Sequence, residues 1–227
     1  MYKFCVLMAG RGTRNSYTKD INKGLLPLGT YPIIVHILDK APKDMPVVLT
    51  VGYKAEQVES CVKYYYKRDI TFVQTDKFMG EGSGPGYSLL QCEHYLQCPF
   101  IFTACDTIVM EEYPLLDKNW IGISPVDNTE PYLTVDSKNN LVTMVYDKMK
   151  NSPSNLASIG VVGVRDYKEF WNGLRKPRLV NGEHQTTDGI NALIEKGLET
   201  VSFTWMDTGT TEGYEKTKRY FASNISR

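Results

Sequence analysis

Short, nearly continuous apolar and β-branched runs alternate along this chain with stretches of helical spacing. Residues 3–8, 46–51, 70–74, 100–104, 120–126 and 159–164 have the pattern of strands buried on both faces. Residues 33–40, 55–67, 87–96, 187–196 and 211–221 place apolar side chains at intervals that suit one face of a helix. Pro85 is suited to a helix first turn, where a missing N–H costs nothing. The alternation predicts a largely parallel sheet flanked by helices. No internal repeat, low-complexity tract or long linker interrupts it, so residues 1–227 are expected to form one compact domain.

Composition narrows the partners. Lys and Arg total 26 and Asp and Glu total 26, a balance that argues against nucleic acid or an anionic membrane as the main partner. A small molecule is the better expectation. The apolar runs 4–9 and 99–104 are far shorter than the roughly 20 residues of a bilayer span, and no export signal is visible at the N-terminus, so the cytoplasm is the expected location. Five cysteines without any C-x-x-C pair read as reduced thiols. The three histidines, His36, His94 and His184, stand apart from any acid or nucleophile motif and read as packing or surface residues. The balance is global and not local: residues 1–40 hold six basic against two acidic side chains, and residues 76–117 hold seven acidic against one basic.

Three segments carry candidate chemistry. The first strand runs into Ala9-Gly10-Arg11-Gly12-Thr13-Arg14, where glycines let backbone N–H groups approach an anion. Asn15 stands where a dinucleotide fingerprint needs its third glycine, and no Lys followed by Ser or Thr completes a Walker A loop. The loop offers Arg14 and, nine residues later, Lys23, cations suited to a nucleoside triphosphate. Asp106 follows the 100–104 strand, at the sheet end where α/β proteins bind ligands, and Ile108 denies it a DxD motif. Asp207 closes a third apolar segment before a glycine turn and a helix; two such carboxylates can share one Mg²⁺.

Taken in order, these segments resemble the sugar-phosphate nucleotidyltransferases. Leu7, Ala9, Gly10, Gly12, Thr13 and Arg14, then Lys23, Leu25, Leu26 and Pro27, match LxAGxGTR and PKxLLP, and residues 205–210 match WxDxGT. Asn22 replaces the customary proline, the Arg14 to Lys23 spacing is one residue shorter than usual, and Asp147 and Met149 replace the glutamate and proline of the EKP motif.

The resemblance implies a single-domain Rossmann-like α/β/α sandwich with a mixed, mainly parallel central sheet. It implies that Ala9, Gly10, Gly12 and Thr13 cradle the nucleotide and that Gln74, Gly82 and Ser83 face its base. Arg14, Lys23, Asp106 and Asp207 become the catalytic set, with Asp106 and Asp207 as Mg²⁺ ligands. Lys148, Asn155 and Gly160 fall at the acceptor site. The implied reaction moves a nucleotidyl group from an NTP to a sugar 1-phosphate in nucleotide-sugar and polysaccharide or capsule synthesis. A small non-sugar phosphate such as phosphocholine, taken by a cytidylyltransferase, and a non-catalytic nucleotide-binding module are the alternatives. The sequence leaves a homo-oligomer open.

Overall fold

A computed structural model describes residues 2–176 and 178–224. Nine strands form one sheet: β1 (Lys3–Leu7), β2 (Val47–Val51), β3 (Ile70–Gln74), β4 (Phe100–Ala104), β5 (Asn119–Pro125), β6 (Thr134–Lys138), β7 (Leu141–Tyr146), β8 (Leu156–Val164) and β9 (Leu198–Ser202). Their spatial order is β3-β2-β1-β4-β8-β5-β9-β7-β6. The first four strands in that order are parallel, with Phe4 opposite both Val47 and Ile101. β8 then enters antiparallel, between β4 and β5. On the far side β5 and β9 are parallel, while β7 is antiparallel to β9 and to β6.

The sheet is therefore mixed and Rossmann-like, but its second half departs from the mainly parallel arrangement expected. The cause is the 134–164 region: β6 and β7 form a hairpin, and β8 returns along the sheet beside β4 instead of crossing over through a helix.

Side-chain alternation along β1 divides the core. Phe4 and Val6 point into one cluster with α1 (Ile33–Leu38), α2 (Ala55–Tyr65) and Tyr214 of α6 (Thr211–Asn224). Cys5 and Leu7 point into the other, with Leu89 of α3 (Pro85–Leu90), Phe170, Trp171 and Leu174 of α4 (Tyr167–Leu174), and Ile190 and Leu193 of α5 (Thr187–Ile194). This is the expected α/β/α layering. Pro85 does take the first turn of α3. α4 is unforeseen in the sequence, because its buried stripe of Phe170, Trp171 and Leu174 is confined to eight residues.

All five cysteines are free. Among the described residues no helix is long and apolar enough to cross a membrane.

Candidate active site

The chain leaves β1 into a loop tied down at both ends. Met8 N–H donates to the Thr50 hydroxyl (2.8 Å), and Ala9 C=O accepts from Tyr53 N–H (2.9 Å). Gly12 has φ +72°, and a Cβ there would meet Lys23 Cδ at 3.2 Å, so this turn requires glycine twice over. Asn15 closes the turn: its N–H donates to Gly12 C=O (3.0 Å), its Oδ1 accepts from Tyr17 N–H, and its Nδ2 donates to Thr208 C=O (3.1 Å). That last bond fastens the N-terminal loop to the loop bearing Asp207.

Asn22, where the family pattern has proline, is fully buried. Its Nδ2 donates to Met8 C=O (2.9 Å) and Tyr53 C=O (3.0 Å), and its Oδ1 accepts from Gly24 N–H (3.0 Å). Proline presets a backbone angle; asparagine reaches the same end by stitching the loop to two neighbouring segments and capping the short turn Lys23–Leu25. Lys23, next in sequence, is thereby aimed at Asp106. A Cβ on Gly24 would lie 2.5 Å from Met8 Cε, so it would fit only if the end of that side chain moved.

The two aspartates meet through strand register. Thr107–Val109 and Trp205–Asp207 form an antiparallel ribbon that sets Asp207 opposite Thr107, beside Asp106. Thr208 locks the junction, its N–H and its hydroxyl both donating to Asp106 C=O (2.9 and 3.1 Å). Asp106 Oδ2 and Asp207 Oδ1 lie 2.6 and 3.0 Å from the point a Cβ on Gly209 would occupy, so the two oxygens are no farther apart than those lengths combined. Asp207 is further held by Gly209 N–H (2.7 Å) and by the hydroxyl of Tyr132 (2.8 Å).

The electrostatics follow from this crowding. Lys23 Nζ contacts Asp106 Oδ2 at 2.7 Å. Burial opposes both charges, yet their attraction prevails: the Asp106 carboxyl is held below its usual range and the Lys23 ammonium above its own. Asp207 goes the other way, raised by burial and by the neighbouring Asp106 charge. Arg14 is felt by Asp106 and Asp207 alike, and by Lys148, whose ammonium is lowered mainly by burial. Burial pushes the Cys105 thiol, wedged beside Lys23 and Asp106, up to about 12, so it packs as an inert group.

These side chains open onto one cavity of about 1090 Å³. Of the residues expected from sequence, Ala9, Gly10, Gly12, Thr13, Arg14, Lys23, Ser83, Asp106, Lys148, Gly160 and Asp207 line it. Gly160, at φ +83°, sits at the irregularity where β8 passes β5, with Ala104 and Thr107 both 3.3 Å from its Cβ position.

Three expected residues are not in the wall. Gln74 ends β3 with its side chain exposed. Asn155 is exposed and offers its C=O to Val126 N–H. Gly82 spends its N–H on Gly182 C=O (2.7 Å), so it fastens a loop while Glu81 and Ser83 face the cavity. Tyr132 and Glu183 are wall residues that no sequence motif marked. Among the described residues no group of three or more His, Cys, Asp or Glu could hold a metal; the Asp106–Asp207 pair offers two carboxylates.

Known proteins resemble this chain in sequence and in fold. A family model, the MobA-like NTP transferase domain, matches residues 4–115. The chain is 30% identical over 219 residues to the bifunctional protein GlmU of Methanococcus aeolicus, covering 90% of this chain and 50% of that protein. It is 27% identical over 220 residues to GlmU of Burkholderia orbicola, covering 87% and 46%. It thus spans about half the length of these relatives. The fold is similar to that of a UDP-glucose pyrophosphorylase solved with UDP-glucose (TM-score 0.81, 20% identity, 98% of this chain and 99% of the other). A Bacillus anthracis structure described as a putative glucose-1-phosphate thymidylyltransferase is equally similar (TM-score 0.82, 21% identity, 97% and 95%).

Proposed function

We propose that this chain, which is similar in sequence and fold to nucleotidyltransferases, transfers a nucleotidyl group from an NTP to a phosphate-monoester acceptor of the sugar 1-phosphate type, releasing pyrophosphate. The observation that carries this reading is the convergence of Asp106 and Asp207 on one point, beside Lys23, within a cavity that Arg14 also lines.

The pair fits a hard divalent cation. Two carboxylate oxygens face a gap that glycine keeps open, and Mg²⁺ prefers one or two carboxylates completed by water and phosphate oxygens. When bound, Mg²⁺ would supply charge stabilisation to the phosphates. The 9–14 loop would seat the triphosphate with backbone N–H groups, and Arg14 and Lys23 would neutralise it. Lys148 would hold the acceptor phosphate in line.

One acceptor oxygen forms the bond to the α-phosphorus while the bond from that phosphorus to the bridging oxygen breaks, and pyrophosphate departs with the electron pair. A phosphate monoester is largely dianionic at neutral pH, so no protein base need take a proton from the attacking oxygen. The obstacle is repulsion between anions, and preorganised cations are the means of lowering it.

The test is pyrophosphate release from each of the common NTPs and dTTP with a panel of phosphate monoesters, in Mg²⁺ and in chelator. Release that requires both an acceptor and the metal supports the reading. Release that chelator leaves untouched removes the metal from it, and a wholly inactive panel removes the transfer.

A further inference from the structure

The acceptor end of the cavity carries a charge pattern that nucleotidyl transfer alone does not require. Lys148 Nζ and Glu183 Oε2 face each other there at 3.8 Å, close enough to attract and too far for a hydrogen bond. Each is supported from behind. Gln185 Nε2 donates to Glu183 Oε2 at 2.7 Å. Asn181 and Gly182, with φ +52° and +78°, make the tight turn that presents Glu183. That turn is pinned to the 80–84 loop, by Gly82 N–H on Gly182 C=O and by His184 N–H on Ser83 C=O (both 2.7 Å). On the other side Asp147, next to Lys148, takes the Thr187 hydroxyl and the Arg178 guanidinium, each at 2.5 Å. The gap between the two charges is thus set by the bonds that join the Lys148 segment to the residues flanking the Glu183 hairpin.

Building on the transferase reading above, we propose that the acceptor is a phosphate monoester that also carries an ammonium group a short spacer away, its phosphate meeting Lys148 and its ammonium meeting Glu183. A ligand of that kind completes a ring of four alternating charges with the Lys148–Glu183 pair, and each protein charge exchanges a long contact for a direct one. The closeness of the two protein charges selects the spacer: it matches an amine on the carbon next to the one bearing the phosphate oxygen. Both 2-aminoethyl phosphates and 2-amino-2-deoxyhexose 1-phosphates have that arrangement.

The charge of the cavity favours the same class. Its wall holds five carboxylates against four Lys and Arg side chains. An NTP and a second phosphate add negative charge to it, and an ammonium on the acceptor offsets part of that repulsion. Glu130, another wall residue, has no ion-pair partner among the described residues and adds to the negative field.

Matched acceptors test this. Phosphoethanolamine is compared with 2-hydroxyethyl phosphate, and glucosamine 1-phosphate with glucose 1-phosphate; phosphocholine separates a quaternary from a primary ammonium. Pyrophosphate release is measured for wild type and Glu183→Gln, and nucleotide binding is measured calorimetrically without acceptor. The expected result is a kcat/KM about tenfold or more higher for the amino member of at least one pair, the worth of one charge-assisted contact. Glu183→Gln should collapse that preference and leave nucleotide affinity unchanged. Equal or better use of the neutral members overturns the proposal, independently of how the variant folds. So does nucleotide binding with no acceptor in the panel turned over, an outcome that spares the nucleotide half of the transferase reading. Failure to bind any nucleotide removes both.

Discussion

Replacing Lys23 with methionine keeps an apolar, unbranched side chain against Gly12 and removes the charged end. Asp106 is then left beside Asp207 without its counter-ion. The Lys23 and Asp106 side chains are 17% and 12% exposed, so this pair belongs with buried ones. Breaking one partner of a buried pair costs about 3–5 kcal/mol, and the residual exposure favours the lower end, about 3 kcal/mol. For a chain of this size each kcal/mol moves Tm by roughly 2–4 °C, so the metal-free variant should melt roughly 6–12 °C below wild type.

Mg²⁺ should reverse much of the loss. A cation at the Asp106–Asp207 cradle replaces the missing ammonium, and a ligand at about a hundred times its Kd contributes about 2.7 kcal/mol. In wild type the same ion must displace Lys23 from Asp106, so its stabilisation is smaller. Differential scanning calorimetry in chelator and in saturating Mg²⁺ reads both effects. Equal Mg²⁺ shifts in the two proteins would refute a shared cradle, and an unchanged metal-free Tm would refute the buried pair.

The pH dependence has a fixed sign. Asp106, with its folded pKa lowered, contributes stability above its unfolded value near about 3.9 and loses it as pH falls through the lower folded value. Lys23, with its pKa raised, contributes below about 10.4 and loses it as pH climbs through the higher folded value. The gap between wild type and Lys23→Met should therefore be flat across the neutral range and close only in strong acid or strong base.

Activity should fall about a hundredfold or more in Lys23→Ala, read as pyrophosphate release, as for other preorganised cations. Asp207→Asn removes the like charge beside Asp106 while amide groups can still meet Gly209 N–H and the Tyr132 hydroxyl; its metal-free Tm should rise as its turnover collapses. Gly209→Ala forces a methyl between the two carboxylates, at 2.6 and 3.0 Å, and should weaken the Mg²⁺-induced Tm shift more than it lowers the metal-free Tm. Asn22→Ala strands one buried and one half-buried carbonyl and one buried N–H, and should cost about 2–4 kcal/mol in chemical denaturation.

What the sequence disclosed and what it withheld divide along one physical line. The 9–14 loop and Asp106 were legible because each follows a strand whose apolar run announces it, and Lys23 and Asp207 because their segments match a known family pattern. Their meeting was not spelled out. Asp207 reaches Asp106 through the register of a ribbon of three residues a side, too short for alternation to signal, and Thr208 and Asn15 fix it by bonds to distant carbonyls. The same limit explains the sheet. Asp136 and Lys138 in β6 mask a hairpin whose outer positions, Leu141 and Met144 of β7 among them, face solvent. Asn22 makes the point most sharply. It departs from the family pattern, yet its side chain supplies by three hydrogen bonds the rigidity a proline would supply by its ring. A substitution that breaks a motif is therefore weak evidence of lost function where the new side chain is buried and fully paired, and Lys23 beside it remains aimed at Asp106.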